Sequence, residues 1–591
     1  MARTTNDRMV LVLAGCLLLL AVLELRLVWL QALGARQSRA IAQRQQQHLE
    51  PLLGKRGRIL DCRERILAMS VQAPSVFADP RHVAGGAETA HRLADVTGAD
   101  PALVRARLGQ EDRGFVWIAR QIAPQARAEL ASLRRAGVGV RDELKRVYPH
   151  GTLGGHLMGF VDIDHQGLEG LELAFNGALR GYDGWRRTLR DGQGQYLVGP
   201  WTTEALPTAG HDLVLTIDAV VQQVAEETLD WGVETFNAKG GSVIVMDPAT
   251  GAVLAMATWP NYDPNDPGRA RPETRRNRTV TDLFEPGSIF KIVAASALLE
   301  EGRISPEETI FCEHGEYPTV ARHVLHDHHG YGTLSFADVI RLSSNIGVAK
   351  AAQRLTPEEL YRYIRAFGFG EPTGIDVPGE ISGILRPPGR WSRLSPFILP
   401  IGQEIAVTPI QLAVMTSVIA NGGWRVTPRV VERIQDADGA VVRVPASAPP
   451  VRVLSAETAR VMQELLVSVV GSGTGRLANV QGLTAAGKTG TAQKIEPNGR
   501  YSHSRFVASF VGFAPVPDPS VVIVVNMDEP RPVYYGGSVA APMFRRVVER
   551  LMGYWELERT AEPAMVRRAP SRPAESAPRR LAQLGRAGED E

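Results

Sequence analysis

Phe284-Glu285-Pro286-Gly287-Ser288-Ile289-Phe290-Lys291 constrains this chain more than any other stretch. Pro286 and Gly287 make a turn, and the apolar run Ile292-Val293-Ala294-Ala295 predicts a buried helix behind it. Ser288 then falls at or near the helix's first turn, with Lys291 three residues on along the same face. A serine hydroxyl is a poor nucleophile at neutral pH until a neighbouring base takes its proton. Lysine can be that base only when burial or a second cation strips its charge. Lys291 stands among Phe290, Ile292 and Val293, where a lasting charge is costly. The helix N-terminus adds backbone N–H groups that can stabilise negative charge on a reacting carbonyl oxygen.

Two further short motifs follow in order. Ser343-Ser344-Asn345 comes after a helix-like stretch from Phe336 to Leu342, and Lys488-Thr489-Gly490-Thr491 lies on a strand-like segment. Alone, a Ser-x-x-Lys match is weak, because ordinary composition supplies about one or two in a chain this long. All three in this order form a strong signal. Taken singly, Ser288 reads as an N-cap, Lys291 as a solvated lysine and Ser343-Ser344-Asn345 as a helix end.

The elements around these motifs predict an α+β fold. Leu213 to Ile217 reads as a strand, and Asp218 caps a helix from Ala219 to about Phe236. Gly241 to Met246 and Ala252 to Ala257 form a hairpin across Asp247-Pro248-Ala249-Thr250-Gly251. Leu483 to Ala492, Phe506 to Ala514 and Val521 to Met527 are late strands. Strands first, helices between and strands last predict one sheet closed by distant segments, with a helical lobe inserted.

Length sets the remaining organisation: 591 residues exceed one core, so two or three domains are expected. Met9 to Leu23 is apolar without a break, Glu24 and Arg26 interrupt it, and Leu27-Val28-Trp29-Leu30 resumes it. As one helix, residues 9–30 span a membrane, with residues 1–8 cytoplasmic and Trp29 at an interface. The competing reading is a signal peptide cleaved near Ala32-Leu33-Gly34, and the apolar stretch past Arg26 favours the anchor. Arg36 to His48 reads as a solvated helix leaving the membrane. Residues 35–210 read as a mostly β scaffold or pedestal without catalytic residues, in which Arg56 to Asp61 pairs with Ile66-Leu67-Ala68. Residues 211–556 carry the three motifs, and 557–591, rich in Ala, Pro, Arg and Glu, read as disordered. The formal net charge of +2 gives no footprint for nucleic acid. No disulfide is assigned among Cys16, Cys62 and Cys312.

The three-part motif resembles active-site serine penicillin-binding proteins and class A β-lactamases. Val245-Met246-Asp247-Pro248-Ala249-Thr250-Gly251, Asn277 to Asp282, Thr373 to Glu380, Val407 to Leu412 and Ala486 to Ala492 look like class B penicillin-binding proteins. Phe284-Glu285-Pro286-Gly287, Phe367-Gly368-Phe369-Gly370 and Trp391-Ser392 most resemble the septal, cell-division (FtsI-type) branch. The resemblance runs from the membrane segment to about Arg550. It implies a transmembrane helix, an elongated pedestal of dimerisation type and a penicillin-binding transpeptidase domain with an antiparallel sheet and a helical lobe. It further implies a peptidoglycan D,D-transpeptidase of the bacterial inner membrane, periplasmic, acting at the division site and inhibited by β-lactams. By that resemblance Ser288 attacks the carbonyl between two terminal D-alanines, Lys291 is the base, Ser343 relays a proton, and Asn345 holds the substrate amide and Lys291. Lys488 supplies charge that depresses Lys291 and attracts the terminal carboxylate. Thr489 and Thr491 bind that carboxylate along the Gly490 strand, and the Ser288 and Thr491 N–H groups form the oxyanion hole. The implied partners are stem peptides ending in D-Ala-D-Ala and a SEDS-type (FtsW-like) glycosyltransferase with other divisome membrane proteins. A D,D-carboxypeptidase and a non-enzymatic division scaffold are the alternatives.

No cofactor is implied. His314, His323, His326, His328 and His329 with Cys312 fit no standard zinc spacing, and Gly471 to Gly475 lacks the ending of a phosphate loop. Two departures from the family pattern stand out. Cys62-Arg63-Glu64 replaces Arg-Asn-Gly, which puts the local turn and its interdomain contacts in question. Glu404 stands where a glycine is commoner, so an altered backbone is expected there.

Overall fold

The computed structural model describes residues 2–33, 47–83, 85–132, 137–190, 196–197, 202–320 and 323–555. The expected tail at 557–591 lies outside them, as does most of the expected helix from Arg36 to His48. Its last two residues are a correction: they open a strand, Gln47–Leu52, paired with Gly184–Arg190.

Helix α1 (Ala2–Val28) runs unbroken through Glu24 and Arg26 and continues as a π turn to Leu33. Asp7–Gln31 within it is long and apolar enough to cross a membrane, and its leucines are exposed among the described residues. The Arg26 guanidinium lies over the Trp29 ring at 4.9 Å.

The N-terminal half holds β1 (Ile59–Leu60), β2 (Ile66–Ala78), β3 (Val116–Ala119) and β4 (Val138–Val147), followed, after short helices and strands that include Gly184–Arg190, by β5 (Asp212–Leu215). The expected pairing of β1 with β2 is present, Ile59 facing Ala68. Its centre is ionic. Glu172 accepts from Arg56 Nε and Arg146 Nε, both at 2.6 Å, with all three residues buried.

The C-terminal half starts with α2 (Ala219–Phe236), whose N-cap Asp218 accepts from Val220 N at 2.9 Å as the sequence predicts. The hairpin β6 (Gly240–Met246) and β7 (Val253–Trp259) follows, then the buried helix α3 (Lys291–Glu300). The lobe continues with α4 (Asn345–Ala352) and α5 (Pro409–Ala420), then strands β8 (Val431–Gln435) and β9 (Val441–Arg443), and helix α6 (Ala456–Ser472). Strands β10 (Ala486–Ile495), β11 (Tyr501–Ala514) and β12 (Val521–Asp528) and helix α7 (Gly536–Leu551) close the domain.

The order β7-β6-β12-β11-β10, antiparallel throughout, is the predicted sheet closed by distant segments. Alternation sorts its two faces. Val522 and Val524 point into the lobe of α3 to α6, while Ile523, Val525 and Met527 pack against α2 and α7. Helix α5 is buried on every side, and a capping box between Thr408 and Gln411 with Pro409 at its first position explains Thr408-Pro409-Ile410-Gln411. Asp376 likewise accepts from Val430 and Val431 N–H at 2.7 and 2.8 Å, tying its loop to β8.

The two halves meet in a sheet. Strand β1 pairs with β2 on one side and, in parallel, with β5 on the other; β5 pairs with β8, and β8 with β9. The turn with the unusual Cys62-Arg63-Glu64 keeps its contacts by other means. Glu64 takes the left-handed φ of 61° that the family's glycine would favour, and its carboxylate pairs with Arg433 at 2.7 Å. Arg65 bridges Asp61 and Asp218, and Tyr554 OH donates to Asp218 at 2.6 Å. All three cysteines are free.

Candidate active site

Ser288 sits in a 3₁₀ turn, Gly287–Phe290, that leads straight into α3, half-buried and open to a groove. The turn packs on β10, the edge strand. Gly287 has φ of 53°, and a Cβ there would lie 2.9 Å from the Thr491 carbonyl oxygen, so only glycine fits the approach. A Cβ on Gly490 would meet Ser509 Oγ at 2.5 Å and Ile289 at 2.9 Å. Lys291 opens α3 and is fully buried, as expected from its neighbours.

The other two motifs converge on it. Lys291 Nζ donates to Asn345 Oδ1 at 2.7 Å, to the Ser343 carbonyl at 2.6 Å and to Ser343 Oγ at 3.1 Å. From the opposite side Lys488 Nζ, also fully buried, donates to Ser343 Oγ at 2.9 Å. A hydroxyl has two lone pairs and one hydrogen. A neutral Lys291 has only two N–H groups, which the Ser343 carbonyl and Asn345 Oδ1 take, so its lone pair is left toward the hydroxyl while Lys488 donates to Ser343 Oγ. Among the described residues the Ser288 hydroxyl makes no hydrogen bond. Thr489 Oγ1 shares a hydrogen with Thr474 Oγ1 at 2.9 Å, and Thr491 Oγ1 accepts from Gly536 N at 3.0 Å, leaving its own hydrogen free.

The electrostatics depart from expectation in one respect. Lys291 is pushed down to about 7, and the first cause is burial, not the charge of Lys488. Lys488 itself is held well below the usual lysine range, first by burial and then by the nearby Lys291. Two ammonium groups cannot flank one buried hydroxyl and both keep their charge.

Asp327 escaped the sequence reading. It follows the short strand Val324–His326, and its carboxylate accepts from Ser344 Oγ (2.5 Å), from Ile346 N (3.1 Å) and from Asn345 N. Asn345 Nδ2 returns a bond to the His326 carbonyl at 2.8 Å. Asp327 thus caps α4, fixes Asn345, and raises the Lys291 pKa against the effect of burial. Glu285 plays a similar part for the Ser288 turn, accepting from Glu404 N (2.9 Å) and Tyr501 OH (3.1 Å), while burial holds its own pKa above the usual range. At Glu404 the φ of 60° shows that the glycine-type backbone is kept. No sequence signal marks Asp327, because its partners lie in a separate motif. Thr474 had a signal in Gly471 to Gly475, where α6 ends and the chain turns, with Ser472, Gly473 and Thr474 lining the groove.

The groove has a volume of about 870 Å³ and holds Ser288, Ser343, Asn345, Thr489 and Thr491. Among the described residues no three His, Cys, Asp or Glu side chains are grouped to hold a metal ion. Cys312 is buried against Ser344, and His328 and His329 line the groove.

An accessible serine at a helix start, a buried lysine three residues on, and a second serine held between that lysine and one on the edge strand are the parts a serine acyl-transfer site requires. A profile described as penicillin-binding protein transpeptidase domain matches residues 241–549, and one described as penicillin-binding protein dimerisation domain matches 51–215. Probable peptidoglycan D,D-transpeptidase PenA of Neisseria gonorrhoeae is 34% identical over 552 residues, 92% of each chain. Peptidoglycan D,D-transpeptidase FtsI of Escherichia coli K12 is 32% identical over 556 residues, again 92% of each. The crystal structure of penicillin-binding protein 3 of Mycobacterium tuberculosis complexed with aztreonam superposes with a TM-score of 0.68 at 29% identity, covering 87% of this chain and 98% of that one. The chain belongs to the penicillin-binding, peptidoglycan D,D-transpeptidase family.

Proposed function

We propose that this protein cross-links peptidoglycan stem peptides at the division septum through an acyl-enzyme on Ser288. The observation that carries this is Ser343 Oγ held between Lys291 and Lys488 in the groove that also exposes Ser288. Lys291, neutral above about 7, takes the Ser288 proton as Oγ attacks the carbonyl between the terminal D-alanines. Ser343 passes a proton to the departing D-alanine amine. Asn345 orients Lys291 and the substrate amide, the Thr489 and Thr491 hydroxyls hold the terminal carboxylate beside Lys488, and Gly490 lets the strand approach the turn. The Ser288 and Thr491 N–H groups receive the oxyanion. An amine of a second stem then captures the acyl group. β-Lactams, mimics of D-Ala-D-Ala, acylate the same serine.

Residues 9–30 anchor the chain in the inner membrane with 1–8 in the cytoplasm; residues 35–210 serve as pedestal, 211–556 as the periplasmic transpeptidase domain, and 557–591 as a tail. A SEDS-type glycosyltransferase and other divisome membrane proteins are the partners of the anchor and pedestal. The length and apolarity of Asp7–Gln31 support the anchor. The test is covalent labelling by a fluorescent penicillin. Long-lived labelling that vanishes in Ser288→Ala is expected; rapid release would indicate a hydrolase, and no labelling of folded protein would end the proposal.

A further inference from the structure

The second half-reaction needs something the three motifs do not supply. The acceptor arrives as an ammonium, since an alkylamine keeps its proton until about pH 10, and must lose that proton before it can attack. Lys291 and Lys488 both contact Ser343 Oγ, and Lys291 is also engaged by Asn345 and the Ser343 carbonyl.

One wall of the groove offers a group for this task. Phe506 and Tyr534 stack at 4.0 Å, Tyr534 and Tyr535 meet at 4.6 Å, the His328 ring stands edge-on to Tyr535 at 5.2 Å, and His329 lies 4.6 Å from His328. All five rings line the groove that holds Ser288. Ring faces carry the negative side of the quadrupole and attract an ammonium. His328 is exposed, and among the described residues neither of its ring nitrogens has a hydrogen-bond partner. Its position is nonetheless fixed, because the preceding Asp327 is bonded to Ser344, Asn345 and Ile346. Imidazole is the side chain suited to taking up and releasing a proton near neutrality.

Building on the acyl-enzyme reading above, we propose that the wall of His328 and Tyr535 seats the acceptor peptide's primary ammonium and that His328 removes its proton. The ammonium gives one proton to a His328 ring nitrogen, and the freed lone pair forms the new C–N bond at the Ser288 ester carbonyl. Collapse breaks the bond from that carbon to Ser288 Oγ, which leaves with the second amine proton, passed through Lys291. The third hydrogen stays on the new amide, and His328 returns its proton to water. The titratable groups around His328 are Asp327, His329 and Tyr331 on its own loop, Tyr535 before α7, and Arg476 and His503 elsewhere on the groove.

The test uses the detergent-solubilised full chain, an N-acyl-D-alanyl thioester as donor and glycinamide as acceptor. The ratio of aminolysis to hydrolysis of one acyl-enzyme is read, so hydrolysis serves as internal reference. At neutral pH His328→Asn should lower this ratio by at least about tenfold, a floor set below the roughly 100-fold at which general-base effects usually begin. The deficit should close as pH passes the acceptor's own pKa, where the amine arrives unprotonated. A ratio within about twofold of the unaltered chain, or a deficit independent of pH, overturns the inference. If the unaltered chain forms no Ser288 acyl-enzyme, the proposed function fails and this falls with it. An intact acyl-enzyme whose partition ignores His328 sinks this inference alone.

Discussion

Ser343 carries the site's strain as well as its hydrogen bonds. Its φ of 61° lies in the left-handed region, a cost of about 1 kcal/mol or more for a residue with a Cβ. That twist lets the Ser343 carbonyl and hydroxyl both face Lys291. Ser343→Ala should therefore keep the fold while slowing penicillin acylation about 100-fold, typical for loss of one proton-transfer partner. The pH profile tests Lys291 separately. With its neutral form as the proposed base, acylation should rise with pH, level off above about 7, and fall tenfold per unit below that. Asp327→Asn retains a carbonyl for the N–H groups of α4 but removes the charge that raises the Lys291 pKa. The midpoint of the same profile should then move to lower pH, and an unmoved midpoint would contradict the role given to Asp327.

At the level of elements, the chain advertised its repetitive parts. The apolar run of β12 and the Asp218 cap of α2 are local patterns set by neighbours in sequence, so they were readable. The three motifs likewise pointed to one site. What stayed hidden depends on distant partners: the Asp327 cap on α4, the Glu285–Tyr501 brace, and the ring wall drawn from three separate segments. The two departures at Glu64 and Glu404 drew notice as lost glycines, yet both keep the glycine-like backbone because Arg433 and Ser395 hold their carboxylates. The buried Glu172 was equally illegible, since Arg56 and Arg146 are far apart in sequence. Removing its charge strands two buried guanidinium groups. Glu172→Gln should therefore lower unfolding stability by about 3–5 kcal/mol, measured by chemical denaturation, with Ser288 far from the change.

For the whole molecule, α1 is unburied among the described residues, so deleting residues 2–33 should move the protein from the membrane to the soluble fraction while penicillin labelling of Ser288 persists. Loss of labelling in that truncated chain would mean that the site depends on the anchor. The junction of the halves behaves otherwise. Strand β1 belongs to a ladder that continues through β5 and β8, and Arg58 clamps Asp212 through its backbone N–H and guanidinium. Asp218, three residues beyond the end of β5, is tied to Arg65 and Tyr554 and also caps α2, which packs against the sheet. Between the N-terminal half and the start of α2 the chain is thus joined by hydrogen bonds set side by side, which resist shear together instead of breaking one at a time.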